Sequence, residues 1–283
     1  MDGHIDQMNA KSAPIHPLVS VDWLMERFDA PDIKIVDATW IAPFMDPDTK
    51  GRDLYNKGHI PGAVFFDIDE IADTSSDLPH MLPDPVKFSS MVRKMGLGDG
   101  HRIVVYDQNN MMAAPRAWWT FRVMGHEDVV VLNGGMNAWR NAGGQEQDLP
   151  PHLINERHYT SMKNDLLVAN LEEMKAYVSA GDRQIVDARP DGRFKGQAPE
   201  PRAGLKGGAM PGAINLPHSH LMTSEGAMKP EADIKVAFEA AGVDLSNPLV
   251  TTCGSGVTAS VLALGLAALG RFDVAVYDGS WSE

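Results

Sequence analysis

Cys253 is the single cysteine in 283 residues, and it opens the run Cys253-Gly254-Ser255-Gly256-Val257-Thr258. An apolar, strand-like stretch (Pro248 to Thr252) leads into this run, and a long apolar helical stretch (Ala259 to Leu269) leaves it. At a strand-to-helix junction, backbone N–H groups converge and the helix dipole favours negative charge. Two glycines let the backbone curl around one atom without a Cβ clash. Such a cradle favours an anionic sulfur, and the thiolate is the reactive form of cysteine. A lone cysteine is otherwise a small buried hydrophobe; the glycine-rich loop after a strand is what argues for a nucleophile. The amides from Gly254 through Ser255, Gly256, Val257 and Thr258 are the candidate anion cradle. Ser255 has two readings, a hydrogen-bond donor at the reacting sulfur or an N-cap of the following helix.

A cysteine loop that holds an anion also suits phosphate-ester chemistry. That reaction needs an arginine at the far end of the loop to grip phosphate, where this chain has Ala259. The net charge of −13 repels small anions and argues against nucleic-acid binding. A site for an anionic substrate therefore needs local cations. Arg193 and Arg202 fall in one irregular, Gly/Pro-rich segment, and a guanidinium fork suits a carboxylate together with a keto oxygen. Lys195 and Arg189 read as solvated or structural.

The elements that must position these residues come in two copies. Ile35-Val36-Asp37-Ala38 recurs as Ile185-Val186-Asp187-Ala188, and Pro61-Gly62-Ala63-Val64 as Pro211-Gly212-Ala213-Ile214, both displaced by 150 residues. Ser20 and Asn170 are in register as helix caps, Glu173 completes a capping-box variant, and Gly181 closes the second helix. Val104-Val105-Tyr106-Asp107 matches Val250-Thr251-Thr252-Cys253, so the first copy carries Asp107 where the second carries its thiol. Each copy reads as a helix followed by four strands alternating with helices, which indicates a parallel sheet with helices on both faces, an α/β fold. Ligands of such sheets bind beyond the carboxyl ends of the strands. Asp37 and Asp187 end strands and are expected to anchor turns. The expected division is a flexible tail over 1–17, a first domain over 18–149, a linker over 150–167 around Pro150-Pro151, and a catalytic second domain over 168–283.

No apolar run approaches the ~20 residues of a membrane span. The first residues are polar and lack the apolar core of a signal peptide. One cysteine excludes an intrachain disulfide framework and a multi-cysteine metal site. It fits a reducing, cytoplasmic compartment, and neither a metal nor a cofactor is expected.

The duplicated layout and the Cys253 loop resemble the rhodanese superfamily, in its two-domain 3-mercaptopyruvate sulfurtransferase branch. His59-Ile60-Pro61-Gly62-Ala63, Phe65-Phe66-Asp67-Ile68-Asp69, His80-Met81-Leu82-Pro83 and Ala114-Pro115-Arg116-Ala117-Trp118-Trp119 carry the resemblance in the first copy. Gly192-Arg193-Phe194, Pro199-Glu200-Pro201-Arg202 and Tyr277-Asp278-Gly279-Ser280-Trp281 carry it in the second. The resemblance implies two tandem rhodanese-like domains. It implies attack by Cys253 on the sulfur of 3-mercaptopyruvate, a Cys253 persulfide, release of pyruvate, and sulfur transfer to cyanide or to a thiol such as thioredoxin or a small thiol. It implies that Arg193 and Arg202 bind the carboxylate, and that Asp69 and His80 reach across the domain interface to pair with Ser255 as a proton relay. Arg116 is read as a brace of that interface, and His59 as structural.

Thiosulfate-preferring relatives carry a basic pair after the cysteine, where this chain has Gly254-Ser255. Thiosulfate:cyanide sulfur transfer and a persulfide carrier that serves a partner protein remain as alternatives; a carrier has no use for Arg193 and Arg202. The chain departs from the family pattern at Met112, where some relatives have a tyrosine near the substrate. It stops at Trp281-Ser282-Glu283, where relatives continue for a further turn or more, so the final helix is expected to be incomplete.

Overall fold

The computed structural model describes residues 15–149 and 155–283. Two five-stranded sheets account for the strands. The first contains β1 (Leu18–Val19), β2 (Ile33–Asp37), β3 (Val64–Phe65), β4 (Arg102–Tyr106) and β5 (Val129–Leu132). The second contains β6 (Val168–Ala169), β7 (Gln184–Asp187), β8 (Ile214–Asn215), β9 (Leu249–Thr252) and β10 (Ala275–Tyr277). Their orders are β1-β5-β4-β2-β3 and β6-β10-β9-β7-β8, one topology written twice, and every neighbouring pair is parallel. The repeat extends to register: Val36 pairs with Val64 as Val186 pairs with Ile214, and Ile35 with Val104 as Ile185 with Val250.

The helices are α1 (Val21–Arg27), α2 (Gly51–Lys57), α3 (Ile68–Ile71), α4 (Pro85–Lys94), α5 (Ala114–Val123), α6 (Gly135–Asn141), α7 (Leu171–Ala180), α8 (Asp191–Phe194), α9 (Glu231–Ala240) and α10 (Ala259–Ala268). Caps act as the sequence predicts. Ser20 accepts from the Trp23 amide, Asn170 and Glu173 form a reciprocal capping box, and Gly181 ends α7 with φ of 66°.

The sequence pattern yields four strands per copy, whereas each sheet has five. The missed strands, β1 and β6, are two residues long and precede the first helix of each copy. They pair with β5 and β10 at the sheet edge, and two residues carry no periodicity to read.

The two domains are not independent bodies. α5 of the first packs on α10 of the second, and one apolar cluster runs through both, including Trp118, Trp119, Phe121, Val261, Leu262 and Leu264. All ten residues of α10 are buried, as expected of a helix apolar all round. Burying each large apolar side chain contributes about 1.5–3 kcal/mol relative to exposure. Asn133 and Met228 exchange two hydrogen bonds across the boundary at 3.2 and 2.7 Å.

The proline pair of the expected linker and residues 1–14 of the expected tail lie outside the described residues. Pro17 accepts a hydrogen bond from the Val131 amide. Thr160 binds Asp99 through its amide and hydroxyl at 2.9 and 2.6 Å. The Met162 and Asn164 amides donate to Met124 and Val123. The chain therefore follows the first domain before it enters the second.

Candidate active site

β9 ends at Thr252, and the next residue, Cys253, is 2% exposed. Its amide donates to Ser280 Oγ at 3.3 Å, its carbonyl accepts from the Trp281 amide, and Ser282 Oγ donates to the Gly254 carbonyl at 2.6 Å. The turn after β10 thus holds the outside of the cysteine loop. Among the described residues, none of the amides from Gly254 to Thr258 donates to a protein acceptor. The apolar α10 that follows leaves them gathered at its start, a favourable place for an anion.

The two loop glycines have separate reasons. Gly256 adopts φ of 77°, and a Cβ there would lie 2.7 Å from Arg116 Nη1 and 3.0 Å from the Asp278 carbonyl oxygen. A Cβ at Gly254 would lie 2.9 Å from Arg193 Nη2 and 4.0 Å from Arg202 Nη1. Gly254 therefore makes room for the Arg193 guanidinium beside the cysteine, with Arg202 at ordinary contact distance, a role that the sequence alone does not reveal.

Arg193 is aimed by Glu200, a carboxylate only 1% exposed that accepts its Nε–H at 3.0 Å. Arg189 also reaches Glu200, at 2.8 Å, binds Asp187, and lies over the Trp281 ring at 4.2 Å. Of the two readings of Arg189, the structural one holds, since it is 1% exposed. Burial alone would lower its pKa, but Asp187 and Glu200 hold it above the ordinary arginine value. Arg202 is lowered, first by burial; Arg193 adds to this, while Cys253, Asp69 and Glu200 oppose it. A bound anion would relieve both the burial and the mutual repulsion of the two guanidinium groups.

His80 meets the second domain through Arg202, and Asp69 stands behind it within the first domain. His80 Nδ1 lies 2.6 Å from Asp69 Oδ1, and Trp40 Nε1 donates to Asp69 Oδ2 at 2.9 Å. Burial raises the Asp69 pKa, but His80, Trp40 and Arg202 outweigh it and leave the carboxyl below its ordinary value. The pairing with Ser255 differs from the expected relay. Arg202 stands between, with Nη2 at 3.3 Å from both His80 Nε2 and Ser255 Oγ. A guanidinium N–H only donates, so in this contact His80 Nε2 is the accepting atom. Ser255 is 6% exposed, and no side-chain cap is formed at the start of α10. His80 itself has φ of 61°, in the left-handed region, a backbone cost that surrounding contacts must offset.

Arg116 supplies the brace. Its Nη2 lies 2.7 Å from Asp278 Oδ1, both side chains are nearly inaccessible, and it also bonds the carbonyls of His80 and Gly256. Asp278 Oδ2 accepts from the Leu82 amide at 2.8 Å. The segment bearing His80 is thereby tied to the cysteine loop. His59 stacks on Tyr55 at 3.8 Å inside the first domain, away from the loop.

In the first domain Asp107 follows β4 as Cys253 follows β9. Its buried carboxylate accepts from the amides of Asn109, Met111, Ala113 and Ala114 at 2.7–3.1 Å. The first copy therefore fills the corresponding nest with its own carboxyl group, whose pKa burial raises against the pull of those amides, and has no thiol there.

Cys253, Gly254, Ser255, Val257 and Thr258 line a cavity of about 350 Å³ with Arg193 and Arg202. Trp40, Phe44, Met45, Met112, Pro190 and His218 complete it. Sequence reasoning missed most of these. Trp40 follows the repeated Ile-Val-Asp-Ala strand and would have been findable from its distance to Asp37; Phe44 and Met45 carry no signal. Met112 does face the cavity, so a thioether stands at the position noted above.

A model of the rhodanese-like domain matches residues 20–142 and again 170–283. The chain is 39% identical over 265 residues to the 3-mercaptopyruvate sulfurtransferase of Escherichia coli, covering 94% of this chain and 93% of that protein. It is 38% identical over 276 residues to the thiosulfate sulfurtransferase of Rattus norvegicus, covering 94% and 91%. The crystal structure of the Escherichia coli 3-mercaptopyruvate enzyme superposes with a TM-score of 0.86 at 37% identity, covering 95% of this chain and 100% of that one.

Proposed function

This chain belongs to the rhodanese family and is a sulfurtransferase, and on that premise we propose that its sulfur donor is 3-mercaptopyruvate and its nucleophile Cys253. The observation that carries the reading is the arginine pair: Arg193 and Arg202 border the cavity of Cys253, with Gly254 leaving room for Arg193. A donor that ends in a carboxylate and a keto oxygen matches two guanidinium forks. Thiosulfate carries its three oxygens on one sulfur and lacks a keto oxygen set apart from its anionic group, and a carrier that receives sulfur from a protein has no need of the cations.

In the proposed reaction the Cys253 thiolate attacks the donor's sulfur. The carbon–sulfur bond breaks, its electron pair passes to carbon, and the enolate of pyruvate departs. Arg193 and Arg202 hold the carboxylate and the developing enolate oxygen, charge that grows in the transition state. Ser255, 3.3 Å from Arg202 Nη2, is placed to donate its hydroxyl hydrogen bond to the same oxygen. Asp69 and His80 fix Arg202 from the other side. The persulfide left on Cys253 is stabilised by the loop amides, and a thiol such as thioredoxin or a small thiol, or cyanide in the test tube, removes its outer sulfur. A reducing compartment such as the cytoplasm suits this chemistry, since the single reacting thiol must stay unoxidised. Among the described residues no helix is long and apolar enough to cross a membrane.

The test is kcat/KM for 3-mercaptopyruvate and thiosulfate side by side, with Cys253→Ser as the blank. A preference for mercaptopyruvate is expected. If thiosulfate won, the donor assignment would fall, with the fold and the nucleophile unaffected.

A further inference from the structure

A second cavity of about 340 Å³ adjoins the first. The two share Met45, Met112 and His218, so those side chains form a common wall. Both domains build the second cavity: Asn109 and Asn110 come from the loop after β4, and Ser219, Thr223 and Ser224 come from the segment before α9. Its chemistry differs from that of the donor cavity. No Lys, Arg, Asp or Glu lines it, while the donor side carries Arg193 and Arg202. Its polar groups are hydroxyls and carboxamides, and its apolar wall is largely thioether, from Met45, Met112 and Met222. Burial lowers the pKa of His218, so the shared wall is uncharged near neutrality as well. Asn109 is fixed by donating from Nδ2 to the Trp40 carbonyl at 2.6 Å, and its Oδ1 has no partner among the described residues. Asn110 and Met111 both hold left-handed φ angles, 63° and 57°, a local cost typical of functional loops.

We propose that this interdomain cavity seats the sulfur acceptor, and that it selects a thiol carried on an uncharged, amide-bearing body. The inference rests on the sulfur-transfer reading above and names the acceptor class for that site. The acceptor's thiolate enters past Met45 and Met112 and attacks the outer sulfur of the Cys253 persulfide. A new S–S bond forms on the acceptor, the S–S bond to Cys253 breaks, and its electron pair returns to the Cys253 thiolate. The thiol proton has gone to solvent, and no further oxidant or reductant is involved. The acceptor's amides exchange hydrogen bonds with hydroxyls and carboxamides that cannot compensate a carboxylate. Donor and acceptor are thus told apart by charge, which keeps the acidic product of the first step from competing for the second cavity.

The test uses the full chain with N-acetylcysteine amide and N-acetylcysteine, which differ by one amide against one carboxylate. The amide is expected to have a KM about tenfold lower, near the effect of one well-made polar contact. Ser219→Phe and Thr223→Phe fill the cavity from its exposed side. Each is expected to raise KM for the amide about tenfold, while the pyruvate burst from 3-mercaptopyruvate and the rate with cyanide stay unchanged. Equal KM values for the two thiols, or a KM unmoved in both variants, would overturn the site with the donor reading intact. Absence of the pyruvate burst in the unaltered protein would defeat both. Two further acceptors locate the amides: a blocked cysteinyl tripeptide that matches a reduced dithiol protein assigns the site to small thiols, and a protein with much the lower KM assigns it to a protein's cysteine loop.

Discussion

Arg193, Arg202 and Glu200 divide the labour at the mouth of the cysteine loop, and single substitutions separate them. Arg193→Ala or Arg202→Ala is expected to raise KM for mercaptopyruvate by about ten- to a hundredfold, the scale of one charge-assisted hydrogen-bond pair. Cys253→Ser is expected to abolish turnover and leave the far-ultraviolet circular dichroism unchanged. Glu200→Gln keeps the shape but removes the charge that aims Arg193 and partners Arg189. It is therefore expected to cost both stability and KM, read by urea denaturation alongside kinetics. The arginine pair and the cysteine were visible in the sequence as residue types. Glu200 was not, because a carboxylate flanked by prolines gives no sign of facing two buried guanidinium groups.

Within the cysteine loop, two glycines that look equivalent have different consequences. Gly256→Ala places a Cβ at positive φ against Arg116 and the Asp278 backbone, and is expected to cost roughly 1–3 kcal/mol in a denaturation midpoint. Gly254→Ala meets the far end of the Arg193 side chain, which can swing away. It is expected to leave the midpoint nearly unchanged and raise KM for the keto acid. Opposite results, with Gly254→Ala unfolding the domain, would contradict the assignment of that glycine to guanidinium clearance. The ends of β4 and β5 that pack against the segment before β6 have a pH signature of their own. His126 stacks beside Tyr159 at 5.6 Å, and burial lowers the pKa of both His126 and His101. These groups are lowered in the fold, so the unfolded chain binds the proton more readily. Their stabilisation is complete above the ordinary imidazole value of about 6.5 and is lost as pH falls through the lowered values. Urea midpoints taken between pH 7 and pH 5 are expected to fall, and His126→Leu is expected to flatten that fall.

At the scale of the whole molecule, the brace between the domains is a buried charge network. Arg116 and Asp278 are 4% and 5% exposed. Removing one partner leaves the other charge buried, which costs about 3–5 kcal/mol. Arg116→Ala is expected to show that loss in chemical denaturation. Sulfur transfer should weaken with it, because the same residue holds the His80 segment and the Gly256 carbonyl. Loss of activity without loss of stability would mean that Arg116 acts on substrate, not on the interface. The first domain takes part through this brace and through Asp69, His80 and Trp40. Its own nest is filled by Asp107, so it lends side chains to the second domain and runs no chemistry there.

The duplication and the parallel α/β architecture were legible in the chain, as was the cysteine loop proposed to carry the nucleophile, because each rests on local order. Repeated strand segments recur at fixed displacement, caps sit beside their helices, and the Cys253 loop is contiguous from Gly254 to Thr258. What required the tertiary structure was every relation between residues distant in sequence. Strands β1 and β6 are defined by their partners and not by their own two residues. Arg202 stands between His80 and Ser255, 122 and 53 positions away, a geometry set by how two sheets pack through α5 and α10. The uncharged cavity beside the donor site is assembled from both domains, so no single stretch of sequence contains it. Local pattern fixes an element because its interactions span a few residues; a site at an interface depends on the packing of surfaces that only the folded chain brings together.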